Sequence, residues 1–287
     1  MKLLRYGPAG QEKPGILDRD GRIRDLSGTV SDIGPEAISS ASLDKLRRID
    51  PATLPAVAGT PRIGPCVARV PKLVCVGLNY RLHAQEAGQP IPKEPILFMK
   101  ATTAINGPND DVIIPKNSKK TDWEVELGIV IGSKTQYVSE SDALKHVAGY
   151  CIVNDVSERE FQIERGGQWS KGKSCDTFAP MGPYLVTSDE VPDPQALDLW
   201  LEVNGERVQG SNTRDMIFTV KQLVSYASQF MTLLPGDVIP TGTPSGVGLG
   251  MKPQRFLKPG DTMRVGISGL GEQRQRAVAW APEPPRH

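Results

Sequence analysis

Glycine and proline interrupt this chain so often that long helices have little room, with 29 glycines and 25 prolines among 287 residues. An ordinary chain carries roughly 12% of the two combined, and the excess here points to short strands joined by many turns. Strand-like runs fit that reading. In the first part of the chain they cover Leu3 to Tyr6, Gly15 to Asp18 and Arg22 to Leu26. Further on they cover Lys72 to Gly77, Ile96 to Met99, Val112 to Ile114, Trp123 to Ile131 and Gly149 to Asn154. The late runs are Tyr184 to Thr187, Asp198 to Val203, Asp237 to Pro240, Thr262 to Ile267 and Gln275 to Trp280. Asp20-Gly21 and Asn204-Gly205 are hairpin signals.

Helical patterns are few. One starts at a capping Ser42 and carries Leu43, Leu46 and Ile49, and Arg81 to Gly88 reads as a short helix or loop. The others are Asp142 to Val147, Ser157 to Arg165 and Thr219 to Phe230. Ser157 and Glu160 match a capping box. Strands and helices do not alternate regularly, and no segment repeats. The expected class is α+β and strand-rich, closed or sandwiched rather than doubly wound. The proline-rich stretch 50–71 reads as a linker, which divides the chain into a small N-terminal domain at 1–70 and a larger one at 71–287.

Charge excludes some partners. Lysine and arginine number 34 against 33 aspartates and glutamates, so there is no general attraction to nucleic acid or an anionic membrane. No run approaches the roughly 18 apolar residues of a membrane helix, and the first residues lack the apolar stretch of a secretory signal. Cys66, Cys75, Cys151 and Cys175 form no close pair. The expectation is a reduced, cytoplasmic protein acting on a small molecule.

Candidate chemistry begins at Trp123-Glu124-Val125-Glu126-Leu127. In a strand, Glu124 and Glu126 share one face, with Cβ atoms about 7 Å apart. The pair either bridges a cation or lies on a water-facing surface. Asp155 follows the run Gly149 to Asn154, where it is either a turn residue or a third acidic ligand. Three carboxylates on adjoining strands suit Mg²⁺ or Mn²⁺. Arg159 and Gln162 are three apart, on one face of a helix.

His146 lies in a helical stretch and His287 is the last residue, which leaves His83. It is three residues before Glu86, close enough for a carboxylate to orient its ring; the pair is otherwise a solvated ion pair on a mobile segment. Lys171-Gly172-Lys173-Ser174 resembles half of a phosphate loop without its upstream glycine. Thr241 to Gly248 is glycine-rich, and its amides either bind a carboxylate or form a tight turn. Lys100 is an isolated cation at a strand end.

These short motifs occur in a characteristic order: Asn79-Tyr80 with His83 and Glu86, Glu124 with Glu126, Asn154-Asp155 with Ser157, Arg159 and Gln162, Gly172-Lys173-Ser174, and Thr241-Gly242-Thr243-Pro244. Over residues 72–281 the ordered set resembles the fumarylacetoacetate hydrolase superfamily. The resemblance implies a mixed β-roll with a small N-terminal α+β domain, a homodimer, and Mg²⁺ or Mn²⁺ on Glu124, Glu126 and Asp155. It implies that His83 and Glu86 form a lid dyad that activates water and that Lys173 stabilises charge near the substrate. Leu78, Asn79, Lys100, Arg159, Gln162 and Thr243 match positions around a keto acid. Leu78 stands where some members carry arginine, so any carboxylate contact there would use the backbone.

Within the superfamily the chain resembles the 2,4-diketo-3-deoxy-L-rhamnonate hydrolases of sugar catabolism. That implies C–C hydrolysis of a 2,4-diketo acid, giving pyruvate and L-lactate. The alternatives are a decarboxylase, isomerase or hydratase of the same fold, and a non-catalytic, metal-stabilised binding protein.

Overall fold

The computed structural model describes residues 1–282; His287 and the last residues of the expected 71–287 domain lie outside them. Two sheets dominate. The larger runs in the order Ile23–Asp25, Lys13–Leu17, Lys2–Tyr6, Ala179–Thr187, Val147–Asn154, Val125–Ile131, Val238–Pro240, Leu73–Gly77 and Ile96–Lys100. The smaller runs Glu206–Asn212, Asp198–Val203, Thr262–Ile267, Gly271–Ala279 and Val112–Ile114. Pairing is mostly antiparallel, with parallel pairs at Val238 with Leu73 and at Ala277 with Val112. This is the expected strand-rich mixed architecture.

The strands Val125–Ile131 and Val147–Asn154 are buried along their whole length. They pack on Asp198–Val203 and Thr262–Ile267, where Leu199, Leu201, Val203, Val265 and Ile267 supply apolar side chains. Burial on both faces is why these runs read as continuous Val/Ile/Leu stretches rather than as alternating ones. The N-terminal strands continue the same sheet, Leu3 lying opposite Leu185. The Asn204-Gly205 hairpin forms as expected, both residues having positive φ, +54° and +81°.

Two helix starts differ from the sequence expectation. The first helix spans Ser40–Arg47, and Ser39 caps it by accepting from Ser42 N–H. Capping from Ser39 rather than Ser42 leaves Leu43 and Leu46 as the buried positions of the helix. At Ser157 no capping box forms. Ser157–Glu158 pairs instead with Thr121–Asp122 as a short antiparallel ladder. The Glu158 carboxylate accepts from the hydroxyls of Ser118 and Thr121 and from Lys120 N–H. The Ser157 hydroxyl turns back to Asp155 carbonyl at 3.1 Å, and the Glu160 carboxylate accepts from Arg165, so neither side chain serves a cap. The chain then makes a π-helical turn, Glu160–Glu164, a rare form that is frequent at functional sites.

Candidate active site

Glu126 lies inside the strand Val125–Ile131, opposite Val153 of the neighbouring strand. Glu124 stands just before the strand. Its N–H donates to Asn154 Oδ1 at 3.1 Å, and its carbonyl accepts from Asp155 N–H at 2.8 Å. Those two bonds bring Asp155 beside the glutamates. One oxygen from each of the three carboxylates lies within 4.8 Å of the others. Glu124 and Glu126 are only 4% and 1% exposed, which rules out a water-facing strand. The opposite face is core, as Trp123, Val125 and Leu127 are all fully buried.

Three cations surround this cluster. Lys173 Nζ lies 2.6 Å from Glu124 Oε2 and 2.7 Å from Asp155 Oδ2. Lys100 pairs with the other oxygen of Asp155 and donates to Val156 carbonyl at 3.0 Å. Arg159 Nε donates to Asp122 at 2.8 Å, and its Nη1 to Gln162 Oε1 at 3.0 Å. Its Nη2 is 2.8 Å from Glu124 Oε1 but off the line of a hydrogen bond. Burial works against the charge on Glu124, yet Lys173 and Arg159 outweigh it and hold the carboxyl down at about 2. Burial likewise opposes the charge on Lys173, but Asp155 and Glu124 reverse the balance and raise its pKa.

Glu126 differs from its neighbours. Among the described residues no cation pairs with it, and its Oε2 accepts only from Gly242 N–H, at 2.9 Å. Burial, then the charges of Asp155 and Glu124, push its carboxyl well above the usual range. An all-oxygen donor set that leaves one buried carboxylate without a countercharge fits a hard divalent cation.

His83 is on the short helix Arg81–Glu86, where His83 and Ala84 are the buried positions. Its Nδ1 lies 3.1 Å from Glu86 Oε2. Gly246 N–H donates to the other oxygen of Glu86 at 2.9 Å. The dyad is therefore only 8% exposed at His83 and is tied to the glycine-rich loop. That loop binds carboxylates, but they are the protein's own. Gly242 N–H serves Glu126, Gly246 N–H serves Glu86, and Gly248 and Leu249 N–H both serve Asp122.

His83, Glu86, Glu124, Glu126 and Lys173 open on one cavity of about 620 Å³. Leu78, Arg159, Gln162 and Thr243 also line it. Leu78 has φ +52°, a conformation uncommon outside glycine. The Thr243 hydroxyl already donates to Val125 carbonyl, at 3.0 Å. Asn79 and Lys100 stand behind the wall instead. Asn79 ties Phe218 to Thr241 carbonyl through both ends of its amide, and Lys100 reaches only Asp155 and Val156. His146 is satisfied by Ser133, at 2.7 Å, and is away from the cavity.

Sequence reasoning missed Asp122, fully buried and holding Arg159 and two loop amides. The signal was present, because Asp122, Glu124 and Glu126 alternate with period two. The phosphate-loop likeness of Lys171 to Ser174 has another cause. A Cβ on Gly172 would lie 2.4 Å from Glu158 carbonyl and 2.6 Å from Gln162 Cβ. Only glycine lets that turn approach closely enough for Lys173 to reach the carboxylates.

The sequence profile of the fumarylacetoacetate hydrolase C-terminal family matches residues 72–278. The chain belongs to that family. A protein of Burkholderia ambifaria, carrying only a provisional hydrolase name, is 67% identical over 96% of this chain and 98% of its own. The fumarylacetoacetate hydrolase of Exiguobacterium antarcticum superposes with a TM-score of 0.85 at 34% identity, covering 98% of this chain and 100% of that one. The maleylpyruvate hydrolase of a Sphingobium species, solved with manganese(II) and pyruvate, has a TM-score of 0.81 at 28% identity, covering 97% and 99%. Other solved family members carry isomerase names. No helix among the described residues is long and apolar enough to cross a membrane.

Proposed function

We propose that this chain is a metal-dependent hydrolase of the C3–C4 bond in a 2,4-diketo acid, with 2,4-diketo-3-deoxy-L-rhamnonate as the candidate substrate. The observation that carries this reading is the shared cavity, onto which Glu124 and Glu126 of the buried three-carboxylate cluster and the His83–Glu86 dyad all open. Glu124, Glu126 and Asp155 would hold Mg²⁺ or Mn²⁺, which when bound supplies Lewis acidity to the carboxylate and 2-oxo oxygens of a pyruvoyl group.

The chain's own residues account for the proton transfers. Glu86, held by Gly246, orients His83 through Nδ1 and leaves Nε2 to take a proton from water. The resulting hydroxide adds to the C4 carbonyl, and the C3–C4 bond breaks. Its electron pair passes to the pyruvoyl fragment as an enolate, and the acyl fragment leaves as a carboxylic acid. Lys173, fixed beside Glu124 and Asp155, faces that developing charge. His83 then returns its proton to C3, giving pyruvate. With the rhamnonate substrate the acid would be lactate.

The second reading is isomerisation or decarboxylation of a 2-oxo acid, favoured by the isomerase names among solved relatives. It needs the carboxylates but no attacking water. The deciding experiment offers a panel of 2,4-diketo acids, including the rhamnonate, with coupled detection of pyruvate. Expected are pyruvate release in Mn²⁺, loss on chelation and recovery on adding metal back. Turnover of a 2-oxo acid with no pyruvate formed would move the isomerase or decarboxylase reading ahead.

A further inference from the structure

Among the described residues the ionisable groups lining the cavity gather at one charged end: Glu124 and Glu126 with Lys173 and Arg159, and the His83–Glu86 dyad beside them. Both strong cations are committed. Lys173 bridges Glu124 and Asp155, and Arg159 is held by Asp122, Gln162 and the edge of Glu124. Much of the rest of the wall is apolar, formed by Ile96, Phe98, Ile163, Trp169, Val247 and Leu249, with the neutral amides of Gln89 and Gln254.

This wall is a built surface. Phe98 and Trp169 meet edge to face, with centroids 5.5 Å apart and planes at 70°. Phe98 also lies 5.3 Å below Lys173 Nζ, so the apolar wall begins where the charged end stops. The indole is seated on Gly77, where a Cβ would come within 2.4 Å of the Trp169 ring. Beyond Gln254, Lys252 and Arg255 line a separate cavity. Arg255 is held there by Glu206 at 2.6 Å.

A ligand whose 2-oxo acid head lies at the carboxylates must run its tail along this wall. A carboxylate on that tail would lose its water, meet no free cation among the described residues, and share the cavity with Glu86, Glu124 and Glu126. An uncharged tail meets no such penalty and buries apolar surface. We infer that the site selects monocarboxylic 2-oxo acids with an uncharged tail and rejects dicarboxylic ones. The wall of Phe98, Trp169 and Ile163 sets that choice. The inference rests on the reading of the charged end as a 2-oxo acid site, and the test separates the two.

Calorimetry on the full chain with Mn²⁺ would compare pyruvate, 2-oxohexanoate and 2-oxoadipate. The last two have equal carbon number and differ in a terminal methyl or carboxylate. The expected result is 2-oxohexanoate tighter than 2-oxoadipate by about tenfold or more, the scale on which a buried polar mismatch discriminates. Ile163 is half-exposed, so Ile163→Lys should fold, and it should narrow the ratio by improving 2-oxoadipate. Equal or tighter binding of 2-oxoadipate to the parent chain would overturn the inference while pyruvate binding kept the 2-oxo acid reading. An unchanged ratio in Ile163→Lys would remove this wall from the tail site. Failure of all three acids to bind would overturn the 2-oxo acid reading, and the inference with it.

Discussion

Gly246 N–H donates to Glu86 Oε1 at 2.9 Å, so the acidic member of the His83 dyad is fixed by a loop 160 residues further along the chain. The same loop fixes Glu126 and Asp122 through its other amides. One backbone segment thereby sets the spacing between the dyad and the carboxylate cluster. Gly250 completes the seat, because a Cβ there would lie 2.2 Å from Glu86 Cγ.

Gly250→Ala should therefore displace Glu86 and leave the carboxylate cluster in place. Turnover should fall by on the order of tenfold or more, as expected when an acid–base group is misplaced. Mn²⁺ binding, followed by thermal shift, should be unchanged. A parallel loss of metal affinity would show that the substitution disturbs the whole loop rather than the dyad.

Glu126→Gln removes the carboxylate of the cluster that has no cationic partner among the described residues. The metal-free protein should be as stable as the parent or more so, since a carboxyl whose charge is opposed by burial and by Asp155 and Glu124 becomes a neutral amide. The stabilisation that Mn²⁺ gives the parent, about 2.7 kcal/mol at a hundredfold excess over Kd, should disappear. Retention of that shift would place the cation on other ligands.

Glu124 makes a pH prediction for the metal-free protein. Its carboxyl is held at about 2 when folded, against an ordinary value of 4.5. Between those values the unfolded chain binds the proton and the folded one does not. Stability from this group is thus complete above the unfolded value and is lost as pH falls toward the folded one. Glu124→Gln should cost about 3 kcal/mol at pH 7, because Lys173 and Arg159 lose a buried counterion. Its urea midpoint should then fall less steeply than the parent's between pH 5 and 3. Parallel curves would mean that Glu124 is not the group holding the buried cations.

Much of this was legible in the chain. Period two placed Glu124 and Glu126 on one face, and β-branched runs marked the central strands, because both signals depend on near neighbours. The helical pattern from Thr219 forms as Val220–Phe230, where Gln222 accepts from Thr219 N–H at 2.9 Å. Ser157 and Glu160 match a capping box that does not form, because Thr121–Asp122 pairs with that segment across the fold. Long-range partners hid the rest. Nothing local to Lys100 says that it faces Asp155, and nothing near Gly246 says that its amide belongs to Glu86.

The last prediction separates the two ends of the reaction. His83→Ala should lower hydrolysis of a 2,4-diketo acid by on the order of 10²–10⁴-fold, the usual contribution of acid–base catalysis. It should keep its affinity for oxalate in Mn²⁺, since oxalate resembles the pyruvate enolate and the role proposed for His83 is on water at the acyl end. Lys173→Ala should weaken both. Its ammonium lies 2.6 Å and 2.7 Å from two of the carboxylates, so its loss changes the charge at the pyruvoyl end directly. Single-turnover rates with oxalate titrations would read both effects together. If His83→Ala hydrolyses at the parental rate, water is activated elsewhere and Glu86 has no catalytic partner. If Lys173→Ala keeps parental oxalate affinity, its role is to neutralise the cluster during folding rather than to hold the enolate.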